Sequence, residues 1–111
     1  MKQLVILGST GSIGRQTLEV VRSLPGGFRV LGLAGGRNTG LLSRQIVEFS
    51  PRFVCYQGGG AKLPGERVTL EELACNPEAD IVVVATSGSV GLAPTLAAIR
   101  AGKAVALANK E

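Results

Sequence analysis

Three glycines in the spacing Gly8-x-x-Gly11-x-x-Gly14 follow the apolar run Leu4-Val5-Ile6-Leu7 and precede a helical pattern that starts near Ile13. A dinucleotide pyrophosphate needs glycines in that position, between a first strand and a first helix. Gly8 permits the sharp turn out of the strand. Gly11 has no Cβ, so an anion can approach the backbone, and Gly14 lets the helix pack closely on the sheet. The backbone N–H groups of Thr10, Gly11, Ser12 and Ile13 then face the anion from a helix N-terminus, aided by the macrodipole. The hydroxyls of Thr10 and Ser12 can add hydrogen bonds. An ordinary tight turn would use the same glycines; the strand before and the helix after favour the phosphate reading. A P-loop is excluded, since the turn holds no Gly-Lys-Ser/Thr.

The second constellation is marked by a missing acid. A site for NAD wants Asp or Glu at the end of the second strand, to hold the ribose hydroxyls. No Asp or Glu occurs between Arg29 and Val47, and the chain offers Gly35-Gly36-Arg37-Asn38 instead. The Arg37 guanidinium can pair with the 2′-phosphate of NADPH while Asn38 donates beside it. An exposed loop arginine is the plainer alternative. A metal site is not expected: the chain has no His, and its eight acids are scattered. Cys55 and Cys75 lack CxxC spacing and read as buried or half-buried free thiols in a reducing compartment. No catalytic residue is identified in the chain.

The elements that must position these residues can be read from apolar periodicity. Leu4–Leu7 predicts a strand buried on both faces, and Ile13 to about Leu24 a helix with Leu18, Val21 and Leu24 on one side, stopped by Pro25-Gly26-Gly27. Arg29–Ala34 predicts a second strand. Leu42, Ile46 and Phe49 mark a second helix ending at Ser50-Pro51, and Phe53–Tyr56 a third strand. After a loop rich in glycine, Thr69-Leu70-Glu71-Glu72 has the form of a capping box opening a short helix to Cys75. Ile81–Ala85 is the clearest buried strand. Leu92, Leu96 and Ile99 form another helical stripe, stopped by Gly102, and Ala104–Ala108 is a last strand. The order β-α-β-α-β-(α)-β-α-β implies an α/β domain with a parallel sheet, doubly wound in the Rossmann manner, over residues 1–111. Ending just after a strand, the chain is expected to be a fragment of a longer enzyme.

Composition narrows the functional class. At 111 residues and 45% apolar there is room for one domain with one core. Residues 1–52 carry seven Lys/Arg against two acids, and residues 53–111 five against six. The basic residues are isolated arginines rather than a run, which suits steering of an anionic cofactor better than a nucleic-acid surface. Aromatic residues are too few for base-stacking platforms. No apolar run has the length of a membrane span, and a strand pattern begins almost at once, so neither a membrane segment nor a signal peptide is expected. A cytoplasmic protein is the expectation.

Three separate stretches resemble one family. Met1-Lys2-Gln3-Leu4, continuing through Ile6–Gly14, is similar to the start of 1-deoxy-D-xylulose 5-phosphate reductoisomerase, and Phe49-Ser50-Pro51-Arg52 resembles it too. So does Pro94–Lys103, running on to Leu107-Ala108-Asn109-Lys110-Glu111, a stretch with no generic dinucleotide-fold explanation. The resemblance covers nearly the whole chain but only the N-terminal domain of that enzyme. It implies NADPH and a divalent metal (Mg²⁺ or Mn²⁺) as cofactors. The implied reaction rearranges 1-deoxy-D-xylulose 5-phosphate and reduces the product to 2-C-methyl-D-erythritol 4-phosphate, in the non-mevalonate isoprenoid pathway. By the same resemblance Thr10, Gly11, Ser12 and Ile13 hold the pyrophosphate, with Gly36, Arg37 and Asn38 at the 2′-phosphate. Asn109 and Glu111 border the nicotinamide half, and Lys110 contacts the phosphosugar substrate. A homodimer is implied for the full-length enzyme. The acidic metal ligands, lid and C-terminal helices are implied to lie beyond residue 111, so residues 1–111 are expected to bind cofactor without catalysing. The stretch from Gly58 to Ala79 is shorter than the family leads one to expect. Rival readings are another reductase with the same glycine spacing, of dihydrodipicolinate reductase or semialdehyde dehydrogenase type, and a non-catalytic NAD(P)-sensing domain.

Overall fold

The computed structural model describes residues 1–36, 38–56, 63–86 and 92–107. Six strands and four helices follow one another as β1 (Lys2–Leu7), α1 (Ser12–Ser23), β2 (Phe28–Ala34), α2 (Thr39–Phe49), β3 (Phe53–Cys55), β4 (Glu66–Arg67), α3 (Leu70–Ala74), β5 (Ile81–Val84), α4 (Leu92–Arg100) and β6 (Ala104–Leu107). The strands form one sheet in the order β4-β3-β2-β1-β5-β6, with every neighbouring pair parallel. From β1 the chain winds outward through β2, β3 and β4, then returns to the other side of β1 for β5 and β6. The β1/β5 boundary is therefore the topological switch point, where open parallel sheets bind ligands beyond the carboxyl ends of their strands.

Continuous apolar runs form the central strands because both faces of the sheet are covered. In β1, Leu4 and Ile6 point into a core shared with Leu18 of α1 and Leu42 and Ile46 of α2. Val5 and Leu7 point into the opposite core, with Leu73 and Ala74 of α3 and Ala98 of α4. Crossovers in a parallel sheet leave helices on both faces, so the middle of each central strand is apolar and charged residues such as Lys2 and Arg29 are confined to the strand starts.

Three details depart from the sequence reading. β4 is an additional strand of two charged residues on the sheet edge, exposed on both. It has no apolar pattern to betray it and is defined by its pairing with β3. In β2 the register against β1 slips between Leu4 and Val5, so that Leu31 is extra. Leu31 joins the core on the α3 side, and a Cβ on the next residue, Gly32, would also meet Leu73, at 2.3 Å. Two consecutive residues thus address one face, and glycine is what leaves room for Leu73. Finally, two residues of the stripe expected to bury α4 are exposed, Leu96 at 43% and Ile99 at 57%, while the Leu92 side chain lies outside the described residues. The helix instead presents Pro94 and Ala98, one turn apart and both buried. Small residues let α4 lie close to α3, which periodicity of large apolar residues cannot anticipate.

Candidate functional site

The glycine turn leaves β1 at Gly8, whose φ of +90° lies in the left-handed region. A Cβ there would lie 2.9 Å from both the carbonyl carbon and oxygen of Ala85, so the exits of β1 and β5 press together at the switch point. The N–H groups of Gly8 and Ser9 both donate to the Ala34 carbonyl at 2.8 Å, which fastens the turn to the end of β2. A Cβ on Gly14 would lie 2.1 Å from the Gly8 oxygen and 2.6 Å from Ser9 Cα. Gly14 is therefore what lets α1 start directly on the turn. Gly11 is different: its imagined Cβ meets only the Gly8 oxygen, at 3.6 Å, and otherwise faces open space.

Gly11 is the N-cap of α1, with no side-chain cap and no acid in the first turn. The first turn of a helix leaves its N–H groups without intrahelical partners. Those of Ser12, Ile13 and Gly14 stand in that position, because the ladder begins with Arg15 N–H donating to the Gly11 carbonyl at 2.9 Å. The Gly11 N–H is turned back onto the Gly8 carbonyl at 3.2 Å, which removes it from the set that faces outward. Thr10 and Ile13 are half-buried, and Gly11 and Ser12 are exposed. A bare, twelve-residue helix start with its positive end uncompensated is a site for an anion.

The loop after β2 lies beside this turn. Gly35 N–H donates to the Cys55 carbonyl at 2.9 Å, and a Cβ on Gly35 would touch Leu42 Cδ2 at 3.1 Å and Thr10 Cγ2 at 3.2 Å. The methyl group of Thr10 therefore packs next to the second loop. Around Gly36 there is open space. Asn38 caps α2, its Oδ1 accepting from Leu41 N–H at 3.1 Å, which leaves the side-chain NH₂ as its donor. Arg37 lies outside the described residues, as do Asn109, Lys110 and Glu111.

Between these segments and β5 lies a cleft of about 110 Å³, lined by Gly8, Ala34, Gly35, Gly36, Cys55, Leu70 and Thr86. Burial pushes the Cys55 thiol above its usual range, against the opposing pull of Arg67, so the cleft wall there is neutral. Cys75, in contrast to the buried or half-buried state expected for it, is exposed at the end of α3. A larger depression of about 380 Å³ lies between α1 and α2. Arg22 at its rim is held by Glu19 and Glu48, and it lies along the helices rather than at the strand ends. The smaller cleft is the candidate site. Three residues there or beneath it were not singled out in the sequence. Ser9 and Thr86 have buried hydroxyls, and Gln45 a buried amide oxygen, with no hydrogen-bond partner among the described residues. Thr86 was findable, being the first polar residue past the apolar run of β5. Among the described residues no group of three or more His, Cys, Asp or Glu could hold a metal ion.

A family model described as 1-deoxy-D-xylulose 5-phosphate reductoisomerase matches residues 4–64 and 61–111, the two segments meeting inside the stretch read as short. The reductoisomerase of Pelotomaculum thermopropionicum is 50% identical over 125 aligned residues, covering all of this chain and 32% of the relative. That of Thermus thermophilus is also 50% identical, over 116 residues, with 31% of the relative covered. A crystal structure of DOX-P reductoisomerase in complex with NADPH, fosmidomycin and magnesium superposes with a TM-score of 0.91 at 35% identity, covering 98% of this chain and 30% of the other. The Zymomonas mobilis reductoisomerase in complex with NADPH gives a TM-score of 0.86 at 31% identity, covering 97% and 32%. The chain spans about a third of the length of the curated relatives it matches.

Proposed function

This chain belongs to the 1-deoxy-D-xylulose 5-phosphate reductoisomerase family, and we propose that residues 1–111 are the NADPH-binding domain of such an enzyme. The observation that carries the proposal is the uncapped, acid-free start of α1 at the β1/β5 switch point. The buried hydroxyls of Ser9 and Thr86 add two polar groups beside it that have no partner among the described residues. A dinucleotide fits this chemistry: its pyrophosphate would take the N–H groups of Ser12 and Ile13 and the hydroxyls of Thr10 and Ser12, close to Gly11. Gly36, Arg37 and Asn38 would hold the adenosine 2′-phosphate. Asn109 and Glu111 would border the nicotinamide, and Lys110 would bind the substrate phosphosugar. When bound, NADPH supplies the hydride for reduction of the rearranged sugar phosphate. The residues of this chain position it: the turn neutralises the pyrophosphate with fixed dipoles that need no reorganisation.

For the whole enzyme we propose conversion of 1-deoxy-D-xylulose 5-phosphate to 2-C-methyl-D-erythritol 4-phosphate, in a cytoplasmic homodimer. A divalent metal does not fit the described residues, which lack a ligand cluster; its ligands would come from the rest of the enzyme. Full-chain similarity to named reductoisomerases favours this reading over a dihydrodipicolinate reductase, a semialdehyde dehydrogenase or a sensing domain.

The test is fluorescence titration with both dinucleotides. NADPH is expected to bind about ten- to a hundredfold more tightly than NADH, the weight of one charge-assisted pair of about 1.5–3 kcal/mol. Arg37→Ala is expected to abolish the difference. Equal affinities in the unmutated chain would overturn the 2′-phosphate assignment.

A further inference from the structure

Gln45 sits in the middle of α2 and is only 4% exposed. Its Nε2 donates to the Ser9 carbonyl at 2.9 Å, across 36 residues of sequence. Its Oε1 has no partner among the described residues. An apolar side chain of the same length would fill the space without burying an amide, so packing alone does not account for glutamine here. What the amide does hold is the backbone of the glycine turn. Ser9 is the residue after Gly8, and its own N–H is fastened to Ala34 on the other side. Leu42, one turn earlier on α2, and Thr10, in the turn, both face Gly35 at contact distance.

We infer that Gln45 is a positioning residue that ties the pyrophosphate turn to α2, so that the two phosphate-binding segments are presented as one preformed unit. The inference rests on the proposed NADPH reading for its ligand, but its geometry belongs to the chain alone. Polar groups held rigidly before binding lose less entropy on binding, and that is the advantage the clamp supplies. The one hydrogen bond given for Gln45 among the described residues goes to the turn's backbone, at the Ser9 carbonyl, so its removal should loosen that arm of the site first.

The experiment compares Gln45→Met, which keeps length and loses the donor, with Gln45→Glu, which replaces the amide with an acceptor-only carboxylate. Three probes are titrated: NADPH, NADH and adenosine 2′-monophosphate, which carries the 2′-phosphate without a pyrophosphate. For Gln45→Met, NADPH and NADH are expected to weaken together, by about five- to tenfold, with their ratio unchanged and the monophosphate within about twofold of the unmutated chain. Gln45→Glu should weaken both dinucleotides further. Unchanged NADPH binding in both variants would overturn the inference. So would a parallel loss of all three probes, which would mark Gln45 as support for the fold at large. If the unmutated chain fails to bind NADPH, the cofactor reading falls, and hydrogen exchange still decides about the clamp. The Gly8 and Ser9 amides should exchange faster in Gln45→Met at an equal melting midpoint, and equal exchange would reject it.

Discussion

Gly11 and Gly14 are three residues apart and do different work, as the surroundings of a single methyl group reveal. In a helix, alanine is favoured over glycine by about 1 kcal/mol. At Gly14 that preference loses, because the methyl would meet backbone atoms at 2.1 and 2.6 Å, and overpacking against a fixed backbone costs about 1–3 kcal/mol or more. At Gly11 nothing closer than 3.6 Å opposes it. Gly14→Ala is therefore expected to lower stability by about 1–3 kcal/mol in urea unfolding. Gly11→Ala should cost under about 1 kcal/mol, the difference between those residues at an N-cap, while weakening NADPH. Equal losses of stability would refute the division of roles. The spacing alone assigned three roles to three glycines, and those of Gly8 and Gly14 are visible in the packing. The inward turn of the Gly11 N–H was not legible, since it depends on the carbonyl of Gly8 facing it.

At the scale of elements, α1 and α2 are joined on their outer surface by a charge pair. Arg22 donates through Nε and Nη2 to the two oxygens of Glu48, the second at 2.7 Å, and its guanidinium lies over the Phe49 ring at 5.2 Å from the centroid. The hydrogen bonds from Arg22 hold the Glu48 carboxyl below its ordinary range. A carboxylate depressed in the folded state stabilises the fold above the unfolded-state pKa, and that contribution is lost as pH falls through the folded value. Glu48 is 44% exposed and Arg22 40%, so screening keeps the effect within about 1 kcal/mol. Glu48→Gln should lower the melting midpoint slightly at pH 7 and by less at about pH 3, where the contribution of the carboxylate is being lost. A gap of the same size at both pH values would exclude the pair as its cause. Arg22 and Glu48 are 26 residues apart, and only the packing of α1 beside α2 brings them together.

For the molecule as a whole, the sheet brings the glycine turn and the loop after β2 together beyond the carboxyl ends of its strands but, among the described residues, no metal cluster. With 1-deoxy-D-xylulose 5-phosphate, Mg²⁺ and NADPH, residues 1–111 are expected to show no NADPH consumption, while a protein of the relatives' full length should show it. Turnover by residues 1–111 alone would mean that the catalytic groups are present in this chain, against the assignment of cofactor binding only. No helix among the described residues is long and apolar enough to cross a membrane.

Much of the fold was legible because its causes are local. Apolar runs predicted β1, β2, β3, β5 and β6, and Thr69 with Glu72 predicted the capping box that opens α3, with both of its hydrogen bonds present. The glycine turn was legible for the same reason: strand, glycines and helix follow one another between Lys2 and Ser23. Tertiary structure decided the rest, because its causes are pairings between distant segments. β4 exists through its partner β3, Leu31 becomes a bulge only in register with β1, and in α4 Ala98 is buried with Leu73 and Ala74 of α3 only because the two helices pack side by side. Gln45 belongs to this second class. In sequence it is one polar residue in a helix, and only when α2 docks beside the turn does its amide reach Ser9.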